Sequence, residues 1–300
     1  LVLTRVRVTA TDADQSGPSA VSDEFEVRNA PTPAAAVATL PHGVPLDAVA
    51  FAPDASVLAT GGEDGIMRMW STQSQVTLGA VEAHDRVLAL GFSDDGLLLA
   101  SAGADRAVKV WDARSHAPIA TLLGHRSPVP SVDFSPRAPI LATGSWDGSV
   151  IVWDVVSYEQ MSTIENDGSP VWCVEFSADG RLLAIGGDHG TLSLWDIDNP
   201  RTPIRVDILQ GHSGAVRSLA FSPNDERLVT GGWDRTVRVW TRQSRNHYEP
   251  AVIHRGHNAT VWSVAAAPDG ELFASGGGDG SVRVWFPAAA GQQAVLRGHG

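Results

Sequence analysis

The side chains with which this chain could do chemistry are ten histidines, 34 acids, one cysteine and several glycine clusters. Histidine with aspartate can build a metal centre or an acid–base pair, cysteine a nucleophile, and a glycine-rich turn a phosphate cradle. Their spacing argues against each. His42, His84, His125, His212, His257 and His299 occur once per sequence unit, and His189 falls where other units carry Asp. Ligands of one metal must converge within a few ångströms, and side chains spread one per unit cannot. His116, His247 and His254 fall on outer strands or their loops. Cys173 is the single cysteine, which excludes an intrachain disulfide framework and a thiolate zinc cluster without fixing the compartment. There is no His-Glu-x-x-His, nucleophile elbow or phosphate loop. GGGDG at 276–280 repeats the hairpin position of GGEDG at 61–65 and precedes a strand; a phosphate cradle needs a helix there. The Asn258-Ala259-Thr260 sequon is at chance level. These residues read as those of a non-enzyme with no cofactor and no metal.

The elements that carry them form a repeat. Six segments end alike, at Trp70, Trp111, Trp153, Trp195, Trp240 and Trp285, spaced 41, 42, 42, 45 and 45 residues apart. The third unit reads VPSVDF (129–134), PILATGS (139–145) and SVIVWD (149–154). Such short β-branched runs, with Pro, Asp and Gly between them, are strands joined by hairpins. An outer strand lies between units, as in APIATLL (117–123) or TPIRVDIL (202–209). Four antiparallel strands per repeat predict an all-β propeller, whose blades must stack because none covers its own apolar faces.

Composition narrows the class of ligand. A chain of 300 residues with 43% hydrophobic content can bury a large core. The net charge of −12 argues against nucleic acid, which needs a basic stripe. No apolar run approaches the ~20 residues of a membrane span. Lys109 is the only lysine among 22 basic residues, the coding bias of a GC-rich, bacterial genome.

These landmarks resemble the WD-repeat propeller family over about residues 34–300. Gly-His stands at 124–125, 211–212, 256–257 and 298–299, with looser forms at Pro41-His42 and Ala83-His84. Trp is followed by Asp112, Asp154 and Asp196 in three units. The resemblance implies a buried relay in each blade from His through Ser or Thr and Asp to Trp. A buried indole N–H needs an acceptor in any case. The sets are His42, Thr60, Asp64, Trp70; His84, Ser101, Asp105, Trp111; His125, Thr143, Asp147, Trp153; His212, Thr230, Asp234, Trp240; and His257, Ser275, Asp279, Trp285. In the fourth unit Asp167 takes the His slot, Ile185 the hydroxyl slot and His189 the Asp slot. Either the pair is exchanged or the blade has decayed, and in both cases Trp195 is expected to lack a hydroxyl acceptor. The Gly-His at 298–299 reads as the start of a seventh unit, and AAVATL (35–40) as the outer strand that completes the final blade. The expectation is six complete sets of inner strands, from a parent of seven or more blades. The first residue is Leu1 rather than Met, as in a fragment.

Residues 1–30 do not share the repeat. LTRVRVTATD alternates as a half-buried strand and SDEFEVRN as a second. The pair resembles the last hairpin of a fibronectin type III or cadherin-like sandwich, joined by the stiff linker PTPAAA (31–36) to a propeller over 35–300. A competing reading packs the hairpin on the propeller. Asp12 and Asp14 read as a solvated acidic loop.

Four tryptophans remain outside the relay. Trp146 and Trp233 precede the turn Asp of units three and five, and Trp172 and Trp262 lie in the first strand of units four and six. The resemblance puts both slots on one rim, the top face, with Arg217 among the four and Asp47, Glu63 and Asp188 as an acidic remainder. Exposed Trp and Arg are the residue types most enriched at interaction hot spots. The expected function is therefore a non-catalytic scaffold binding other proteins or peptides on the top face, with no nucleic acid, no membrane insertion and no small-molecule ligand. The alternative is an extracytoplasmic adhesion or carbohydrate-recognition protein, toward which the sandwich-like N-terminus leans.

Overall fold

The computed structural model describes residues 7–9, 39–287 and 292–297. Among these there is no helix; six antiparallel sheets of four strands follow one another along the chain. Blade one is Leu46–Phe51, Val57–Gly62, Ile66–Ser71 and Thr77–Glu82. Blade two is Val87–Phe92, Leu98–Gly103, Val108–Asp112 and Pro118–Leu122. Blade three is Ser131–Phe134, Ile140–Gly144, Ser149–Asp154 and Gln160–Glu165. Blade four is Val171–Phe176, Leu182–Gly187, Thr191–Asp196 and Ile204–Gln210. Blade five is Val216–Phe221, Arg227–Gly232, Thr236–Ser244 and His247–Arg255. Blade six is Val261–Ala266, Phe273–Gly277, Ser281–Trp285 and Gln292–Arg297.

The first strands of consecutive blades contact one another from blade one through blade six, which makes a β-propeller of radially stacked sheets. Second strands are covered on both faces and almost wholly buried, whereas fourth strands form the exposed rim. Blade-to-blade packing explains one glycine position. A Cβ on Gly61, Gly144 or Gly231 would come within 2.5, 2.7 or 2.5 Å of Val87, Val171 or Val261, which open the first strand of the next blade. At the equivalent Gly276 of blade six nothing lies within 4 Å.

The segment expected to complete the final blade is partly described, and it pairs elsewhere. Thr39–Pro41 runs parallel to Arg7–Thr9, while Leu40 joins Leu46, Leu58 and Trp70 in the core of blade one. The apolar face of blade one thus holds it. The second strand of the expected sandwich hairpin and the Gly-His at 298–299 lie outside the described residues.

Each repeat Trp lies on the third strand of its blade. In blade three, Trp153 Nε1–H donates to Thr143 Oγ1 at 2.9 Å, and Thr143 lies 2.8 Å from His125 Nε2. His125 Nδ1 faces Asp147 at 3.2 Å. The direction follows from the charge. Burial works to raise the Asp147 pKa, but the Arg126 and Ser149 N–H groups, the Ser149 hydroxyl and His125 outweigh it and hold the group below the usual carboxylate range. An ionised carboxylate takes the Nδ1–H, so Nε2 accepts from Thr143. Blades two, five and six repeat the geometry, with Trp–hydroxyl distances of 2.9, 3.0 and 2.8 Å and His–hydroxyl distances of 2.8 Å.

Blades one and four depart from the expected relay. In blade one Trp70 still donates to Thr60 at 2.8 Å. However, Arg68, four residues after Asp64, takes that carboxylate at 2.7 Å and lies 3.2 Å from His42 Nε2. His42 Nδ1 is left buried without a partner, and burial, then Arg68, lowers its pKa to about 4. In blade four His189 is largely exposed and stands 3.6 Å from Asp167, beyond hydrogen-bond reach, so no buried exchanged pair forms. Nor does Trp195 lack a hydroxyl: Ser193, two residues earlier on the same strand, accepts its N–H at 2.9 Å and donates to Asn166 at 2.9 Å.

Candidate functional site

With four antiparallel strands in a blade, the turn between strands two and three emerges at the end where strand one begins. Two slots therefore meet at one mouth of the central channel. The residue after the Val or Leu that opens the first strand, or after the equivalent Val129 just ahead of it in blade three, is Asp47, Leu88, Pro130, Trp172, Arg217 and Trp262 in blades one to six. The residue before the turn Asp is Glu63, Ala104, Trp146, Asp188, Trp233 and Gly278.

The structure brings the four non-relay tryptophans and Arg217 together there. Trp172 is the hub: its ring centroid lies 5.2 Å from that of Trp146, edge-on, and 5.9 Å from that of Trp233. The Arg217 guanidinium carbon stands 3.9 Å from the Trp172 ring centre and 4.9 Å from that of Trp262. The sandwich results from the repeat, since one slot on three consecutive blades carries Trp, Arg and Trp. Gly278 makes room, for a Cβ there would come within 2.9 Å of Trp262 Nε1. Trp146 and Trp233 are 37% and 48% exposed, and Trp172 and Trp262 are half-buried, so none of the four is spent in the core. Below them the channel opens into a cavity of about 790 Å³ lined by Asp47, Arg86, Trp146, Trp172, Arg217 and Trp262, among others.

The acids lie at the same mouth and are already engaged. Asp47 takes Arg86 through both oxygens at 2.6 and 2.7 Å, and Glu63 adds a contact to Arg86 at 3.2 Å. Asp188 accepts the Trp172 indole N–H at 2.9 Å. Arg86, absent from the sequence reading, is the cation that neutralises this sector. Arg217 has no ion pair among the described residues, and burial lowers its pKa to about 10.

Sequence reasoning also passed over the acids deeper in the channel. Asp133 and Glu175 stand four residues after the equivalent Val129 and Val171. Each accepts a backbone N–H from the next blade, that of Phe176 at 2.7 Å and of Phe221 at 3.0 Å. Burial, opposed by the Phe176 N–H and aided by Asp94, raises Asp133 to about 7; burial and Asp133 raise Glu175. The signal was legible, because other blades carry Ala or Gly at that position. Among the described residues no group of three or more His, Cys, Asp or Glu is arranged to hold a metal ion. Among the same residues no helix is long and apolar enough to cross a membrane.

Six four-stranded blades, Trp on each third strand and the His–hydroxyl–Trp relays define a WD-repeat β-propeller. Residues 45–251 match the family model of the IFT122 first beta-propeller, and 249–285 match the WD domain, G-beta repeat. The first match spans more than half of the chain, and the chain belongs to that propeller family. A solved structure titled "Structure of U3-55K" superposes with a TM-score of 0.71 at 24% identity, over 82% of this chain and 78% of that one. At that identity the likeness is one of fold. No curated protein matches the chain.

Proposed function

We propose that this protein is a non-catalytic scaffold that docks other proteins or peptides on the channel mouth formed by blades three to six. WD40 propellers generally mediate protein–protein contacts, and the family is generally non-catalytic. The observation that carries the reading is the cluster of Trp146, Trp172, Trp233 and Trp262 around Arg217. Four indoles serving no relay, partly exposed around one concave opening, are what an interaction hot spot requires. The test is a paired comparison by affinity capture. One variant carries Ser at the four tryptophans. The other carries Ala at Arg137, Asp179 and Asn224, exposed in the loops between first and second strands at the opposite end. The reading expects the first to lose partners that the second keeps. Equal retention by two folded variants would refute it.

A further inference from the structure

The inventory of unspent hydrogen-bonding groups at this mouth is one-sided. Trp146, Trp233 and Trp262 have no acceptor for their indole N–H groups among the described residues, and only Trp172 is satisfied, by Asp188. The nearby carboxylates are occupied, Asp47 and Glu63 by Arg86 and Asp188 by Trp172. Arg217 is held flat between Trp172 and Trp262 and makes no hydrogen bond or ion pair among the described residues, with its Nε buried and unpartnered. Asp188 acts on Arg217 only through space, without an ion pair; a half-buried guanidinium lacking a direct partner is costly, and its planar fork matches a carboxylate.

We infer that Arg217, clamped between Trp172 and Trp262, anchors a carboxylate of a peptide segment that enters the channel mouth, with the surrounding indoles covering the apolar residues beside it. The inference rests on the scaffold reading and adds the chemistry of the partner. A polyanion such as nucleic acid fits poorly, because the chain as a whole carries −12 and binding a nucleic acid needs a basic stripe. A short segment with one acid among apolar residues fits the donor set. The carboxylate can come from an Asp or Glu side chain or from a chain terminus, and the experiment separates the two.

Arrayed ten-residue peptides of random sequence, presented with blocked and with free C-termini, are probed with the wild-type chain, Arg217→Gln, Arg217→Lys and the four-Trp→Ser variant, each checked by denaturation for folding. The expected binders carry Asp or Glu at one fixed position in the blocked set; a requirement for the free C-terminus would instead assign the terminal carboxylate. Changing that acid to its amide should weaken binding by about ten- to a hundredfold, the loss of one charge-assisted hydrogen-bond pair. Arg217→Gln should abolish the preference for acid over amide, and Arg217→Lys should retain part of it. Binders without an acidic preference in either set, or with one that survives Arg217→Gln, overturn the anchor. If such binders are nevertheless lost in the four-Trp→Ser variant, the scaffold reading stands alone. Binders unaffected by that variant, or no binder at all, overturn both.

Discussion

Replacing Thr143 by Val keeps the shape of the side chain and removes one oxygen. That oxygen accepts the Trp153 N–H at 2.9 Å and lies 2.8 Å from His125 Nε2, in a site where Thr143 is fully buried. The variant leaves an indole donor and an imidazole acceptor unpaired. Each costs about 1–3 kcal/mol when buried, so the change should destabilise by about 2–6 kcal/mol. Thr143→Ser keeps the oxygen, as Ser101 and Ser275 do in blades two and six, and loses only one buried methyl, about 1 kcal/mol. Guanidinium denaturation followed by Trp fluorescence measures both, with an unchanged slope required for the midpoints to be compared. If Val costs no more than Ser, the relay contributes packing alone and the hydrogen-bond argument fails.

Asp147→Ala should cost about 1–3 kcal/mol by unpairing buried His125, whereas Asp167→Ala should cost under about 1 kcal/mol because its partner His189 is exposed; denaturation midpoints separate them. Gly231→Ala should destabilise by about 1–3 kcal/mol because the new Cβ meets Val261, while Gly276→Ala, with nothing within 4 Å, should be neutral or better, as thermal melts would show. Asp133→Asn should stabilise in a pH-dependent way. Its folded pKa, about 7, lies above the unfolded value of 3.8, so the native state loses stability as pH rises toward 7. The gain from Asn should be absent below about pH 4 and full above about pH 7, and a flat difference across that range would contradict the raised value. His42 works in the opposite sense. With a folded value of about 4 against 6.5 unfolded, it contributes stability at neutral pH that is lost from about pH 6.5 to 4, so His42→Asn should flatten the acid limb of the stability curve.

The architecture was legible because a propeller writes itself as a period. The six Trp positions and the turn residues between strands place every blade, and the slot alignment, together with the resemblance to WD-repeat propellers, put Trp146, Trp172, Trp233, Trp262 and Arg217 at one mouth. What it could not give were departures decided by competition between neighbours. Arg68 captures Asp64 through a spacing of four residues and takes His42 out of its relay. Ser193, on the same strand as Trp195, supplies the hydroxyl missing at the Ile185 slot, a substitution invisible when only the expected slot is inspected. The segment at 39–41 pairs with Arg7–Thr9 while Leu40 packs on blade one, contacts distant in sequence that no local pattern encodes.

The central claim is that the tryptophans divide into a structural set and a recognition set. Nitrogen-15 labelling of the ten indoles, with signals assigned by single substitutions, tests it on the intact chain during titration with a partner recovered by affinity capture. The indole N–H signals of Trp146, Trp172, Trp233 and Trp262 should shift to saturation, while those of Trp70, Trp111, Trp153, Trp240 and Trp285 stay within their free positions. Saturation that leaves the four unmoved, or that moves the buried five instead, would contradict the account.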